Sequence, residues 1–263
     1  SDEELNYNRA ADELLLSDPG AFLQNLMDIE KNWSEWFNLQ SRRREHWVKE
    51  WSDHIDAETL RDNRIHPLQL SLDVQKEMNE EDWLVFDGGN THFWSEIAVN
   101  IAGWKGQRLG GIMHPGNYSL LGVGVSFGIS AKNLNPDKNV VVISGDGAFL
   151  SGGLSIEAAF QEGLPITVVI DNNGGLDCIS QQQERLFSNG KHFATDFRDI
   201  PFHAMFEGLG GYGELVTKRE EIGPALRRAM DSGKTACLNV KCKGVISPIV
   251  AATSDKRDKA SIE

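Results

Sequence analysis

Apolar residues recur along this chain in two rhythms, and their alternation sets the expected architecture. Short apolar runs at residues 83–86, 140–144, 166–170 and 236–240 have the length of strands and the near-continuous apolar character of strands covered on both faces. Between them the apolar positions follow helical spacing. Ile65-His66-Pro67 opens a helix carrying Leu68, Leu70, Leu72, Val74 and Met78; Ile97 and Ile101 belong to a second helix, and residues 123–131 form a third. Leu154, Ile156, Ala158, Ala159 and Phe160 mark the inward side of a fourth. Residues 197–206 predict a helix, 214–216 a strand, and 217–231 a helix capped by Thr217, with Glu220 closing a capping box. Strands alternating with helices predict an α/β domain on a parallel sheet.

Ahead of that domain the pattern is helical only. Asp18-Pro19 reads as a helix start, with Asp as cap and Pro at the first helical position. Phe22, Leu23, Leu26, Ile29, Trp33, Trp36 and Phe37 follow; Arg42, Arg43 and Arg44 interrupt the pattern as a solvated face, and Trp47, Val48, Trp51 and Ile55 resume it. Four of the seven Trp lie within residues 33–51. They cover either this chain's own domain or another subunit, where Trp is enriched. The expected division is a helical arm and subunit interface at 1–64, the main domain at 65–245 and a polar, mobile tail at 246–263.

Candidate chemistry collects where strands end, the edge at which open parallel sheets bind ligands. The run at 140–144 breaks at Gly145-Asp146-Gly147, and the run at 166–170 ends in Asp171-Asn172-Asn173-Gly174-Gly175. Gly145 and Gly147 let backbone approach an anion, and the helix start that follows favours negative charge. Asp146, Asn173 and the Gly175 carbonyl offer hard oxygen donors, which suit Mg²⁺ or Ca²⁺ rather than zinc. By themselves the two turns read equally as ordinary strand-to-helix turns without a metal.

Taken as a pair, with Ala148-Phe149 after the first turn and Leu164-Pro165-Ile166 ahead of the second, they resemble the cofactor signature of thiamine diphosphate enzymes. The resemblance implies the parallel-sheet thiamine diphosphate-binding fold with an N-terminal helical extension. It implies that Asp146, Asn173 and the Gly175 carbonyl hold Mg²⁺ against the diphosphate, with Gly145, Gly147 and Ala148 beside it. Asp87-Gly88-Gly89-Asn90-Thr91 resembles the turn that contacts the diphosphate in acetolactate synthase-like members, through Asn90 and Thr91 here. The family often has Gln and His at those two places. The stretch 110–122 resembles the loop whose bulky apolar residue bends the cofactor. That residue is Leu121, and the carbonyl accepting from the cofactor's amino group is that of Ser119, where the family prefers Gly. His114 and Tyr118 are the nearby polar groups able to take part in proton transfer, and His92 is a further candidate to face the reaction; a surface role for His92 and a structural one for His114 at a Pro turn are the alternatives. Residues 176–191, polar and irregular, resemble the family's substrate-covering segment.

Composition narrows the partners. A formal net charge of −13 excludes a general nucleic-acid or anionic-membrane surface. The three Cys form no CxxC pair, so neither a disulfide framework nor a zinc site is expected, and Cys178 is expected to pack. With no signal peptide and no apolar run long enough to span a bilayer, the chain is expected in the cytoplasm. Gly208-Leu209-Gly210-Gly211-Tyr212-Gly213 fits a dinucleotide motif but follows a helix, and Gly124-Val125-Ser126-Phe127-Gly128 fits a serine-nucleophile motif but lies within one.

The resemblance covers residues 65–245. It lacks the family's pyrimidine-binding domain, whose glutamate activates the cofactor. The polar, acidic start suggests a natural terminus, and hence a hetero-oligomer with a partner subunit carrying the pyrimidine-binding and central domains. The expected activity is carbon–carbon lyase or carboligase chemistry on a small 2-oxoacid or 2-hydroxyacyl-CoA, resembling 2-hydroxyacyl-CoA lyase or oxalyl-CoA decarboxylase. An acetolactate synthase-like or 2-oxoacid decarboxylase catalytic subunit is the alternative, and a non-catalytic cofactor-binding subunit is the reading from another class.

Overall fold

The computed structural model describes residues 15–26, 32–61, 64–187 and 192–251. The first fourteen residues, residues 27–31 and the tail beyond Ala251 lie outside the described residues, and with them the readings that fell there. Residues 1–50 and 51–263 make two compact units. In the first, α1 (Pro19–Leu26) begins where Asp18 Oδ1 accepts the Ala21 N–H at 2.9 Å, as its Asp-Pro start predicts. Helix α2 (Ser34–Arg61), whose residues 51–61 belong to the second unit, runs unbroken through the three arginines, because arginine is a good helix former wherever it faces water. Trp33 and Trp36 meet edge to face at 6.3 Å, and Trp36 and Phe37 at 5.2 Å, with all three at least half exposed.

In the second unit, α3 (Pro67–Lys76) precedes a single sheet of six parallel strands. These are β1 (Trp83–Phe86), β2 (Gly111–Met113), β3 (Val140–Gly145), β4 (Thr167–Asn172), β5 (Tyr212–Val216) and β6 (Ala236–Lys241), in the order β2-β1-β3-β4-β6-β5. The connecting helices are α4 (Asn90–Trp104), α5 (Gly124–Leu134), α6 (Asp146–Gly152), α7 (Ile156–Gln161), α8 (Asp177–Leu186), α9 (Phe202–Gly208) and α10 (Ile222–Asp231). The continuous apolar runs have their reason in this layering. Leu84, Phe86, Val141, Ile143 and Val169 enter one core with Leu70, Val74 and Leu226. Their alternates Val85, Val140, Val142, Val168 and Ile170 enter the other, with Val125, Phe149, Phe202 and Phe206. A strand alternates sides, so burial on both faces demands apolar residues at every position.

Several elements differ from the sequence reading. The helix expected after Gly147 is three short pieces, α6, a 3-10 turn (Gly153–Ser155) and α7. That break turns Leu154 out to 75% exposure and leaves Ala158 exposed, while Ile156 and Ala159 stay buried. Residues 111–113, read as loop, form the short edge strand β2, paired to β1 through its backbone. The segment after Gly175, read as irregular, contains the helix α8; residues 188–191 lie outside the description. Residues 197–201 are not helical, and α9 starts after Pro201. Thr217 and Glu220 do not form the capping box. Glu221 accepts the Thr217 and Lys218 N–H groups at 3.3 and 3.2 Å, and a 3-10 turn precedes α10.

Two substitutions separate core from surface. Ile143→Ala, at a fully buried position, should lower unfolding stability by about 2–5 kcal/mol, read as a fall in urea midpoint at constant slope. Leu154→Ala should change it by less than about 0.5 kcal/mol, although the sequence pattern ranks both as core.

Candidate functional site

The sheet order reverses beside β1: its connection through α4 leads to β2 on one side, while β3 lies on the other. Such a switch point opens a crevice at the carboxyl ends of the strands. Asp87, which follows β1, is fully buried. Its Oδ1 accepts the N–H groups of Gly88, Gly122 and Val123 at 2.8, 2.9 and 3.1 Å, and its Oδ2 accepts the Ser144 hydroxyl at 2.8 Å. One carboxylate thus ties β1 to β3 and to the loop bearing Leu121. The fit is tight enough to require glycine: a Cβ on Gly88 would lie 2.3 Å from the carbonyl oxygens of both Ser119 and Leu120.

Asp146, at the end of β3, is 2% exposed. Its Oδ1 accepts the Gly147 N–H at 2.7 Å, and its Oδ2 those of Gly174 and Gly175 at 2.7 and 3.1 Å. The Gly175 N–H also reaches Asn173 Oδ1 at 3.1 Å, so one amide draws the two side-chain oxygens together. Burial pushes the Asp146 carboxyl up to about 6, against the three amides that pull it down and with Asp177 adding to the rise. A cation beside it would relieve that strain, and carboxylate, amide and carbonyl oxygens are the donors that Mg²⁺ takes. The residues present fit the ion.

At the end of β4, Asp171 is 2% exposed and its Oδ2 accepts the Thr91 hydroxyl at 3.0 Å. Burial drives its carboxyl up to about 7; the Cys242 thiol and Thr91 oppose the rise, and Asp146 adds to it. Asn90, first residue of α4, spends its side chain on the segment after β6. Its amide donates to the Val245 carbonyl and its Oδ1 accepts the Ser247 N–H at 2.8 Å. The Asn90 side chain therefore anchors backbone, a role the sequence reading did not anticipate.

His92 is buried, not at the surface. Its Nδ1 lies 3.1 Å from Ser119 Oγ, which also accepts the Gly89 N–H at 2.9 Å. Its Nε2 lies 3.1 Å from His114 Nδ1 and 3.2 Å from Glu96 Oε1. Burial lowers the His92 pKa; Glu96 raises it and His114 lowers it further. His114 itself is exposed and stacks on Phe86 at 5.0 Å.

A cavity of about 190 Å³ brings the rest together. Asn90, Thr91, Ser119, Leu121, Gly145, Asp146, Gly147, Ala148, Asn173 and Gly175 all line it, and His92 and His114 do not. Leu121 is 40% exposed, and its Cδ2 lies where a Cβ on Gly89 would fall 2.9 Å away. Leu176, Asp177, Cys178 and Ile179 complete the wall from α8 and its start. The sequence reading passed over Asp177 and Ile179 because that segment looked irregular. Burial, then Asp177, pushes the Cys178 thiol up to about 12, with the Asn90 N–H opposing, so it stays protonated. The two rival motifs fall where expected: residues 208–213 join α9 to β5, and residues 124–128 lie inside α5.

Residues 87–240 match the family described as thiamine pyrophosphate enzyme, C-terminal TPP binding domain. The catabolic acetolactate synthase of Raoultella terrigena is 28% identical over 167 residues, 64% of this chain and 29% of that protein. The oxalyl-CoA decarboxylase of Escherichia coli K12 is 26% identical over 261 residues, 96% of this chain and 43% of that protein. The chain therefore spans less than half the length of these relatives. Among solved structures, the thiamine diphosphate-dependent 4-hydroxybenzoylformate decarboxylase of Rhodococcus jostii RHA1 shares the fold, with a TM-score of 0.58 at 22% identity over 70% of this chain and 34% of that one.

The raised Asp171 carboxyl has a stability consequence of definite sign. Between about pH 4 and pH 7 the folded chain holds a proton that the unfolded chain has lost, so this group's contribution to stability falls as pH rises through that window. Asp171→Asn, which keeps an acceptor for Thr91, should raise the stability of the ligand-free chain by up to about 4 kcal/mol at pH 8 and change it little at pH 4. Thermal or urea unfolding at the two pH values measures this.

Proposed function

We propose, from the premise that this chain belongs to the thiamine pyrophosphate enzyme family and carries its C-terminal cofactor-binding domain, that it is the diphosphate-binding part of a split thiamine diphosphate-dependent carbon–carbon lyase or carboligase. The observation that carries the reading is the convergence of three strand-end turns and the Leu121 loop on one cavity. When bound, the cofactor supplies an electron sink for breaking or making a bond beside a carbonyl. Asp146, Asn173 and the Gly175 carbonyl hold Mg²⁺ against its diphosphate. Gly145, Gly147, Ala148 and Thr91 surround that group, with Asn90 contributing backbone while its side chain holds residues 245–247. Leu121 and the Ser119 carbonyl position the rings. While no metal occupies their ring nitrogens, His92, whose pKa burial lowers, and the exposed His114 are the groups able to transfer protons behind Ser119.

Three features support the finer reading. The likeness to the decarboxylase of a CoA thioester extends over 96% of this chain against 64% for the acetolactate synthase, which favours a 2-hydroxyacyl-CoA or related 2-oxoacid substrate. The pyrimidine-binding half lies outside these 263 residues, and we assign it to a partner subunit in a hetero-oligomer. The exposed Trp33, Trp36 and Phe37 of the arm offer that partner an apolar surface. No helix among the described residues is long and apolar enough to cross a membrane, and three free cysteines fit a reducing compartment such as the cytoplasm.

Asp146→Ala should weaken thiamine diphosphate binding in the presence of Mg²⁺ at least about 100-fold while the far-ultraviolet circular dichroism stays native. Undiminished affinity in calorimetry would sink the metal assignment. Native mass spectrometry of the assembly from cells expressing the neighbouring genes should show this chain with a second, different chain, in a complex that Trp36→Ala weakens. A homo-oligomer active by itself, or one polypeptide holding both halves, would overturn the two-subunit reading.

A further inference from the structure

We propose that His92, Glu96 and His114 form a second metal centre, of the zinc class, behind the cofactor cavity. Their ligating atoms all lie within 4.8 Å of one another. His92 and Glu96 stand one helical turn apart on the same face of α4, and His114 comes from the turn after β2. The His92 Nε2 lies 3.1 Å from His114 Nδ1 and 3.2 Å from Glu96 Oε1. In a tetrahedral zinc site with bonds of about 2.0–2.1 Å, neighbouring ligand atoms sit roughly 3.3–3.4 Å apart, so an ion enters with small side-chain shifts.

The protonation pattern leaves room for that ion. With Ser119 donating its hydroxyl to His92 Nδ1, a single Nε2 proton faces two acceptors, the Glu96 carboxylate and His114 Nδ1. A metal takes all three lone pairs at once. His92 then carries its proton on Nδ1 and donates it to Ser119 Oγ, the outer-shell bond that usually orients a ligating imidazole. The long Gly116 N–H contact to His114 Nδ1, 3.2 Å, is given up. The rings are already held: His92 and His114 lie 5.4 and 5.0 Å from the Phe86 ring.

Two imidazoles and one carboxylate favour zinc or cobalt over magnesium and leave a fourth position open; the exposed His114 supplies the way in. The centre is separate from the oxygen-donor set at Asp146, and it rests on these three residues rather than on the cofactor reading. Its consequence for the fold is mechanical. It fastens the segment 114–121 to α4, stiffening the loop that carries Ser119 and Leu121.

The test uses the untagged full chain without thiamine diphosphate or Mg²⁺. Titrated Co²⁺ should give the visible absorption of tetrahedral cobalt at one ion per chain, and Zn²⁺ should displace it. Glu96→Gln and His114→Ala, both at positions open to solvent on one side, should each weaken Co²⁺ binding at least about 10-fold. Asp146→Ala should leave it unchanged. Absence of the tetrahedral spectrum, or binding that Glu96→Gln and His114→Ala do not weaken, would overturn the proposal. Loss of binding in Asp146→Ala alone would place the ion in the cofactor cavity and overturn it equally, whatever the outcome for thiamine diphosphate.

Discussion

The buried carboxylate of Asp87 is the contact on which the rest of the site depends. Four donors converge on it, three backbone amides and one hydroxyl, from the β1 turn, the Leu121 loop and β3. A buried carboxylate is tolerable only when it is hydrogen-bonded this fully, so the three segments are held together by the cost of separating them. Gly88 and Gly124 allow the approach, since a Cβ at either would press on the loop or on Asp87 itself. Because the loop's position follows from this one group, so does the wall of the cavity opposite Asp146.

Around that anchor the site collects acidity rather than basicity. Asp146, Asp171 and Asp177 all have carboxyls raised by burial. For a pocket assigned to a diphosphate this looks contradictory until the cation is counted. On the proposed reading, oxygen donors would hold a divalent ion and the ion the phosphate oxygens. On that reading a net charge of −13 for the whole chain is compatible with an anionic ligand at one recessed spot. Thr91 and Asn90 serve this arrangement from behind, Thr91 by meeting Asp171 and Asn90 by pinning the chain after β6.

On the other side of Ser119 lies a chemically different neighbourhood. His92 and His114 pack on Phe86, Glu96 meets His92, and His92 is joined to the cavity through the Ser119 hydroxyl. They reach, through Ser119, the same loop that Asp87 holds at Gly122 and Val123. The Leu121 loop is thus braced at both ends by polar contacts, while its own exposed side chains, Tyr118, Leu120 and Leu121, face away from the domain's core.

The sequence alone was enough for the parallel α/β fold and for ten of the sixteen residues that line the cavity. Both are local properties: strands buried on two faces must be apolar at every position, and strand-end turns need glycine and short polar side chains. It misled wherever geometry depended on a neighbour. Leu154 has the spacing of a core residue, yet the 3-10 break between α6 and α7 turns it to solvent. Residues 111–113 carry little strand signal because β2 is an edge strand held by backbone pairing to β1. Residues 177–186 look too polar for structure, yet they form α8 against the cavity. The tasks of Asp87, Asp171 and Glu96 were equally hidden, since an acidic residue in a list shows nothing of its donors. Only the fold brings Gly122, Val123 and Ser144 to Asp87, or His114 to His92, because those partners lie 22 to 57 positions apart. Side-chain chemistry is written residue by residue, but the charge and hydrogen bonds that decide its use belong to whatever the packed chain places beside it.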